Sequence, residues 1–154
     1  GKVIKHCCIG LVNISVQILT HYLAPLLNDS AMTYFCITRI TPYTCIIFYH
    51  SESSLCNAAL RGVKQLCREY KGQFNIVIIT KEDYSVAGVS LTSALDNYSG
   101  VLFDNEGRIF RDFGVKFVPF CVIYNSHREA VWCGNAATLN INIFRNIVTE
   151  KDKI

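Results

Sequence analysis

Thr44-Cys45-Ile46-Ile47-Phe48-Tyr49-His50 and Phe74-Asn75-Ile76-Val77-Ile78-Ile79 bracket the segment whose reading decides the fold. Both runs are rich in β-branched and aromatic residues, as strands are. The second run lacks the alternation of a strand wet on one side, so it is expected to be covered on both faces, as parallel strands are. Between them, Ser53 and Ser54 suit the cap of a helix running to about Tyr70, with Gly72 as its stop. Leu55, Ala59, Val63, Leu66 and Tyr70 are its expected inner stripe. Strand, helix and strand in that order imply a right-handed parallel βαβ unit.

Toward the C-terminus, Lys81–Leu102 is poorly defined, with a short helix expected near Leu91–Leu95. Asp104-Asn105-Glu106-Gly107 opens a short helix to Phe113, closed by Gly114. Phe120–Tyr124 and Glu129–Cys133 read as a hairpin across Asn125–Arg128. A final helix is expected from about Ala137 to Thr149, burying Leu139, Ile143, Phe144 and Ile147. Toward the N-terminus, Lys2–Ile9 suggests a strand. Val12, Val16, Leu19, Leu23 and Leu26 then recur at helical spacing until Pro25 bends or ends the helix. Thr33–Thr38 reads as another strand, followed by a turn at Thr41-Pro42. With no repeats, linkers or low-complexity tracts, residues 1–154 are expected to be one domain, 1–43 being an extension of a 44–150 core.

Composition narrows the function classes. The 154 residues are 51% hydrophobic and 18% charged, which suits a packed core and argues against disorder. Net charge is only +3, and Lys and Arg are scattered among acids, so no phosphate-tracking stripe supports nucleic-acid binding. Of eight cysteines, Cys36, Cys45, Cys121 and Cys133 sit inside apolar runs, where cysteine behaves as a small buried hydrophobe. The set lacks the paired spacing of a zinc site, so neither metal nor cofactor is expected. Reduced thiols favour a cytoplasmic location. Gly1 in place of Met points to a trimmed chain, and targeting information is expected to lie outside it. The apolar stretch Cys7–Leu27 is interrupted by Asn13, Ser15, Gln17, Thr20 and His21, so no membrane span is expected.

Two segments carry a family resemblance. Phe110-Arg111-Asp112-Phe113-Gly114-Val115-Lys116-Phe117-Val118-Pro119 resembles the thioredoxin-family stretch that ends a helix in aromatic-Gly-Val/Ile and reaches a cis-proline. Phe48-Tyr49-His50-Ser51-Glu52-Ser53-Ser54-Leu55-Cys56 resembles that family's strand, aromatic pair and Cys-x-x-Cys helix start, in register, and Gly134 after the final strand also matches. The likeness covers roughly Thr44 to Val148 and looks most like reductases of the TlpA and tryparedoxin/nucleoredoxin kinds. It implies an α/β class: a thioredoxin-like three-layer α/β/α sandwich with a mixed central sheet, here with an N-terminal β-α extension.

The resemblance also shows what the chain departs from. Thiol–disulfide exchange needs an accessible thiolate, which a helix N-terminus favours. The family's attacking cysteine corresponds to Ser53, whose hydroxyl forms no disulfide, so the dithiol cycle is closed to Ser53 and Cys56. Glu52 stands where thioredoxins usually carry Trp, and its carboxylate opposes thiolate formation nearby. Ile47 replaces the buried acid that serves as proton acceptor. Cys56, at the resolving position and partly shielded, is either a single exchanging thiol or a packed relic. Cys67 lies too far along the helix to pair with it. His50 either activates Cys56 or Ser53 or is simply hydrogen-bonded at the surface. Val118, Pro119 and Phe120, with His50 and Glu52, are the expected substrate-facing residues.

Two functions follow from that pattern. In the first, the chain is a weak or single-thiol oxidoreductase in thiol–disulfide processes, with protein thiols or peptides as substrates. In the second, it is a non-catalytic module gripping peptides between Ser53 and Pro119 with exposed Phe117 and Phe120.

Overall fold

The computed structural model describes residues 32–35, 41–127 and 129–150. The expected strand Lys2–Ile9 and the helix after it lie outside these residues. β1 (Met32–Phe35) is the described part of the strand expected at Thr33–Thr38.

The βαβ unit forms as its sequence requires. β2 (Tyr43–Phe48) and β3 (Phe74–Thr80) pair in parallel with Tyr43 opposite Phe74, and α1 (Ser54–Glu69) crosses between them. Every residue of both strands is buried, which is why neither run alternates. The stripe on α1 departs from expectation. Cys56, Ala59, Leu60 and Val63 face the core at i, i+3, i+4 and i+7, while Leu55 is 51% exposed. The helix is therefore rotated so that Cys56, not Leu55, leads the buried face. Leu66 and Tyr70 are partly buried against the same core.

The segment that sequence left undefined supplies two elements. α2 (Tyr84–Ser93) is longer and earlier than the helix expected near Leu91–Leu95, and β4 (Ser99–Phe103) was not foreseen. β4 runs parallel to β3, with Ile78 opposite Val101. Gly88 belongs to α2 because Tyr84 lies over it: a Cβ there would come within 2.2 Å of the tyrosine ring. That ring in turn meets Phe103 edge-on, with centroids 5.6 Å apart.

α3 (Arg108–Asp112) is short, as expected, and follows Gly107 at φ 70°. β5 (Phe120–Tyr124) and β6 (Ala130–Asn135) form the hairpin, whose turn is held by the Asn125 side-chain carbonyl accepting from the His127 and Glu129 amides at 2.9 and 3.0 Å. A 3-10 turn at Ala136–Thr138 then intervenes, so α4 begins at Ile141 rather than near Ala137 and runs to Glu150. It buries Phe144 and Ile147, with Ile143 and Leu139 partly covered.

The strands assemble in the order β1-β4-β3-β2-β5-β6, with β1, β5 and β6 antiparallel to their neighbours, giving a mixed sheet. Side chains alternate between two cores. Cys45, Ile47, Ile76, Ile78, Val101 and Ile123 meet α1, α2 and α4 on one face. Ile46, Phe48, Val77, Ile79, Leu102 and Val122 meet α3 on the other, making three layers. Phe48 anchors the second core, its ring centroid 4.9 Å from Phe110, 5.0 Å from Phe113 and 6.1 Å from Phe120.

Of the four cysteines expected to be buried, Cys45 and Cys121 are, Cys133 is only partly buried, and Cys36 lies outside the described residues. Cys45, Cys56, Cys67, Cys121 and Cys133 are all free thiols. Cys45 and Cys121 are fully buried on adjacent strands with their sulfurs 3.3 Å apart. The Cys121 contact, burial and the neighbouring sulfur's charge all push the Cys45 thiol well above its usual range. No described helix is long and apolar enough to cross a membrane, and no described cluster of three or more His, Cys, Asp or Glu is arranged to hold a metal.

Candidate active site

The sheet register sets two of the stretches singled out in sequence side by side. β2 and β5 are antiparallel with Phe48 opposite Phe120, so the chain leaving β2 at Tyr49–His50 runs beside the chain entering β5 at Val118–Pro119. The Val118–Pro119 peptide is cis, and Pro119 stands immediately before the strand, where it interrupts no ladder hydrogen bond. Its carbonyl accepts from the Ala136 amide at 2.9 Å. Ala136 is buried in the same core as Cys56 and Ala59. The start of α1 and the cis-peptide edge are thus fastened to one end of one sheet.

Ser53 caps α1. Its backbone is extended, and its hydroxyl accepts from the Cys56 amide at 3.1 Å. The side chain at the family's nucleophile position therefore satisfies one of the orphan donors of the first turn. Cys56 follows at 0% exposure, which corrects the expectation of a partly shielded thiol. Because α1 is rotated to lead its buried face with residue 56, the sulfur points into the core beside the sheet. Glu52 is exposed, and its amide donates to His50 Nδ1 at 3.2 Å. That bond orients the imidazole at the rim.

Phe120 also differs from expectation. It is buried, because pairing with Phe48 turns it into the second core. Phe117 alone of the two is open, at 48% exposure, and it stands edge-on to Phe120 with centroids 5.6 Å apart. Beside it a cavity of about 280 Å³ is lined by Tyr49, His50, Lys81, Phe110, Phe117 and Val118, among others. Lys81 extends over the Phe110 ring, 5.0 Å from its centroid. Ile47 is fully buried in the core, as an acid-free position permits.

A carboxylate is nevertheless present, and sequence reasoning missed it. Glu82, just past β3, accepts from the Ser51 amide at 2.7 Å, from the Ser51 hydroxyl, and from Thr80 Oγ1 at 2.8 Å. Burial pushes this carboxyl up, but the bonds from Ser51 and Thr80, with the His50 ring nearby, outweigh it and hold the group below its ordinary value. Asn57 extends the network: its side-chain amide donates to the Ser51 carbonyl at 2.9 Å, and its carbonyl accepts from the Tyr49 hydroxyl. Burial first, then the charges of Glu82 and Cys56, raise the Tyr49 phenol, so it stays a donor. The readable signal was an acid two residues past a strand that is apolar from Ile76 to Ile79. The network fixes the loop between β2 and α1, and with it the position of Ser53.

No family model and no curated protein sequence matches the chain. Its fold does match solved structures. The pneumococcal exposed lipoprotein thioredoxin from Streptococcus pneumoniae aligns over 70% of this chain and 84% of its own, with 16% identity and a TM-score of 0.54. A secreted disulfide oxidoreductase from Mycobacterium tuberculosis, homologous to E. coli DsbE, aligns over 71% and 81%, with 19% identity and a TM-score of 0.56. A thiol peroxidase from Chromobacterium violaceum aligns over 72% and 73%, with 12% identity and a TM-score of 0.58. The mixed sheet, helices on both of its faces, a helix start set beside a cis-proline edge, and these likenesses together make this a thioredoxin-like fold.

Proposed function

We propose that the chain serves thiol–disulfide redox processes, docking an extended protein or peptide segment along the Val118–Pro119 edge and exchanging weakly through Cys56 alone. The supporting observation is a cysteine-bearing helix start and a cis X-Pro edge carried at the same end of the sheet by neighbouring strands. The structural neighbours named above as thioredoxin, disulfide oxidoreductase and thiol peroxidase favour the same chemistry.

In this reading Ser53 acts as the helix cap and is not a nucleophile. The first turn of α1 opens, and the Cys56 thiolate attacks one sulfur of a substrate disulfide. An S–S bond to Cys56 forms, and the substrate's own S–S bond breaks. The departing thiolate takes a proton from water. With serine at position 53 no internal thiol resolves the adduct, so an external thiol attacks Cys56 Sγ. That attack releases the substrate as its dithiol and leaves Cys56 in a mixed disulfide with the external thiol. A second external thiol then attacks the outer sulfur, freeing the Cys56 thiolate and carrying off the oxidising equivalent as a small disulfide. His50 and Phe117 face the substrate, and Val118 offers backbone to it. A reducing, cytoplasmic setting belongs to this reading.

One observation favours binding without exchange: Cys56 has no exposed surface. A single experiment separates the two. The folded protein is incubated with a peptide carrying an activated disulfide, and adducts are mapped by mass spectrometry. An adduct on Cys56 that vanishes in Cys56→Ala supports exchange. If Cys56 stays unmodified while the peptide still binds and Phe117→Ala weakens that binding, the module is a binder. No adduct and no binding refutes both.

A further inference from the structure

The far end of α1 borders a second and larger cavity, of about 500 Å³. It opens where β3 begins and β4 is about to begin, the end of the sheet opposite His50, Glu82 and the cis-peptide edge. Phe74 and Ile76 of β3 form its floor, both buried, with Tyr98 beside them. Lys64 and Arg68, one turn apart on α1, and Lys71 just after it form one wall.

The wall is tied in place. Lys64 Nζ donates to the Ala94 carbonyl at 2.9 Å, bridging α1 to the end of α2. Asp96, the acid on the opposite wall, is held by its own turn, where its Oδ1 accepts from the Tyr98 amide and the Ser99 hydroxyl at 2.9 Å each. Arg68 reaches the Lys64 carbonyl only through Nε, at 3.4 Å. Among the described residues, neither Arg68 nor Lys71 has a carboxylate partner within ion-pair distance.

Cations in the last turn of a helix often do no more than complement its C-terminal carbonyls. That role needs no cavity and no apolar floor. Here the cations rim a hollow of the size that holds small ligands, apolar beneath and cationic at one side. We propose that this cavity binds a small organic anion, its flat apolar body on Phe74 and Ile76 and its anionic group at Arg68 and Lys71. Burial lowers the Lys64 ammonium; Asp96 opposes that shift and the like charge of Arg68 adds to it. A bound anion relieves that repulsion. Nothing in this proposal depends on the redox reading, because the two sites share no residue.

The test uses two dyes with similar aromatic bodies. One is 8-anilino-1-naphthalenesulfonate, an anion, and the other is the uncharged N-phenyl-1-naphthylamine. Each is titrated by fluorescence into the parent chain, into Arg68→Glu/Lys71→Glu, and into Lys81→Glu/Lys116→Glu as a control at the smaller cavity. The first pair of substitutions should weaken the anionic dye at least roughly tenfold, about 1.4 kcal/mol. It should leave the neutral dye unchanged, and the control pair should change neither. Amide chemical-shift mapping on the parent protein gives an independent reading, with shifts expected at Ile76 and Tyr98 and not at Phe117. The proposal is overturned if the anionic dye does not saturate, if both dyes weaken equally, or if the control pair has the larger effect. Shifts centred on Phe117 would overturn it as well.

Discussion

Ser53→Cys is the substitution on which the redox reading bears hardest. It removes the hydroxyl that accepts from the Cys56 amide at 3.1 Å and replaces it with a poor acceptor. Loss of such a cap costs about 1 kcal/mol. In a chain of 154 residues that lowers the melting temperature by roughly 2–4 °C. The same change puts a thiol at the N-terminus of a 16-residue helix, where unpaired amides and the helix dipole favour its thiolate. It also gives Cys56 a partner three residues away, so an adduct is resolved within the molecule. An intramolecular thiol acts at an effective concentration far above that of a millimolar external thiol, so insulin-disulfide reduction should rise by roughly tenfold or more. The assay is insulin turbidity under limiting dithiothreitol, run beside a thermal melt. Ser53→Ala is the control: it should melt as early as Ser53→Cys and gain no activity. If Ser53→Cys melts early yet reduces insulin no faster than Ser53→Ala, the surroundings of Ser53 are not a redox site, and the juxtaposition with Pro119 has been over-read.

Other perturbations test the frame around that site. Glu82 titrates below its ordinary value in the folded chain, so its stabilisation is present above the unfolded carboxylate pKa of about 4.3 and is lost as pH falls through the lower folded value. Glu82→Gln should therefore shrink the difference in denaturation midpoint between pH 7 and pH 3, and an unchanged difference would contradict the assigned network. Phe48→Ala removes the ring that Phe110, Phe113 and Phe120 share, and should lower unfolding free energy by about 3–5 kcal/mol in denaturant titration. Gly107→Ala forces a Cβ onto a residue at φ 70°, 3.1 Å from Lys81 Cδ. The lysine tail moves aside easily, so the expected loss is about 1 kcal/mol, set by the backbone.

What could be read from sequence follows physical scale. The βαβ unit was legible because β2 and β3 are covered on both faces and α1 keeps one apolar stripe, so local pattern and tertiary setting agree. The phase of that stripe was not. Choosing between Leu55 and Cys56 turns on a 100° rotation that the capping geometry at Ser53 sets, and both residues are apolar. β4 escaped because Ser99-Gly100-Val101-Leu102-Phe103 opens on a serine and a glycine, which read as loop until burial between β1 and β3 is known. At the site, the cis-proline edge was readable from its flanking motif. Phe120 was misplaced because the exposure of one aromatic in a pair depends on which strand face it takes. Glu82 stayed hidden because its value lies in a bond to Ser51, 31 residues earlier, that no local pattern announces.

The meeting of Cys45 and Cys121 makes the alignment of two neighbouring strands chemically distinguishable. The sulfurs approach diagonally, Cys45 lying opposite Ile123 and Cys121 opposite Ile47. Sliding either strand by a single residue would swing one thiol through to the other side of the sheet and part the couple. A correctly folded molecule therefore hides both sulfurs together, whereas a misaligned one hands them out singly to whatever electrophile arrives.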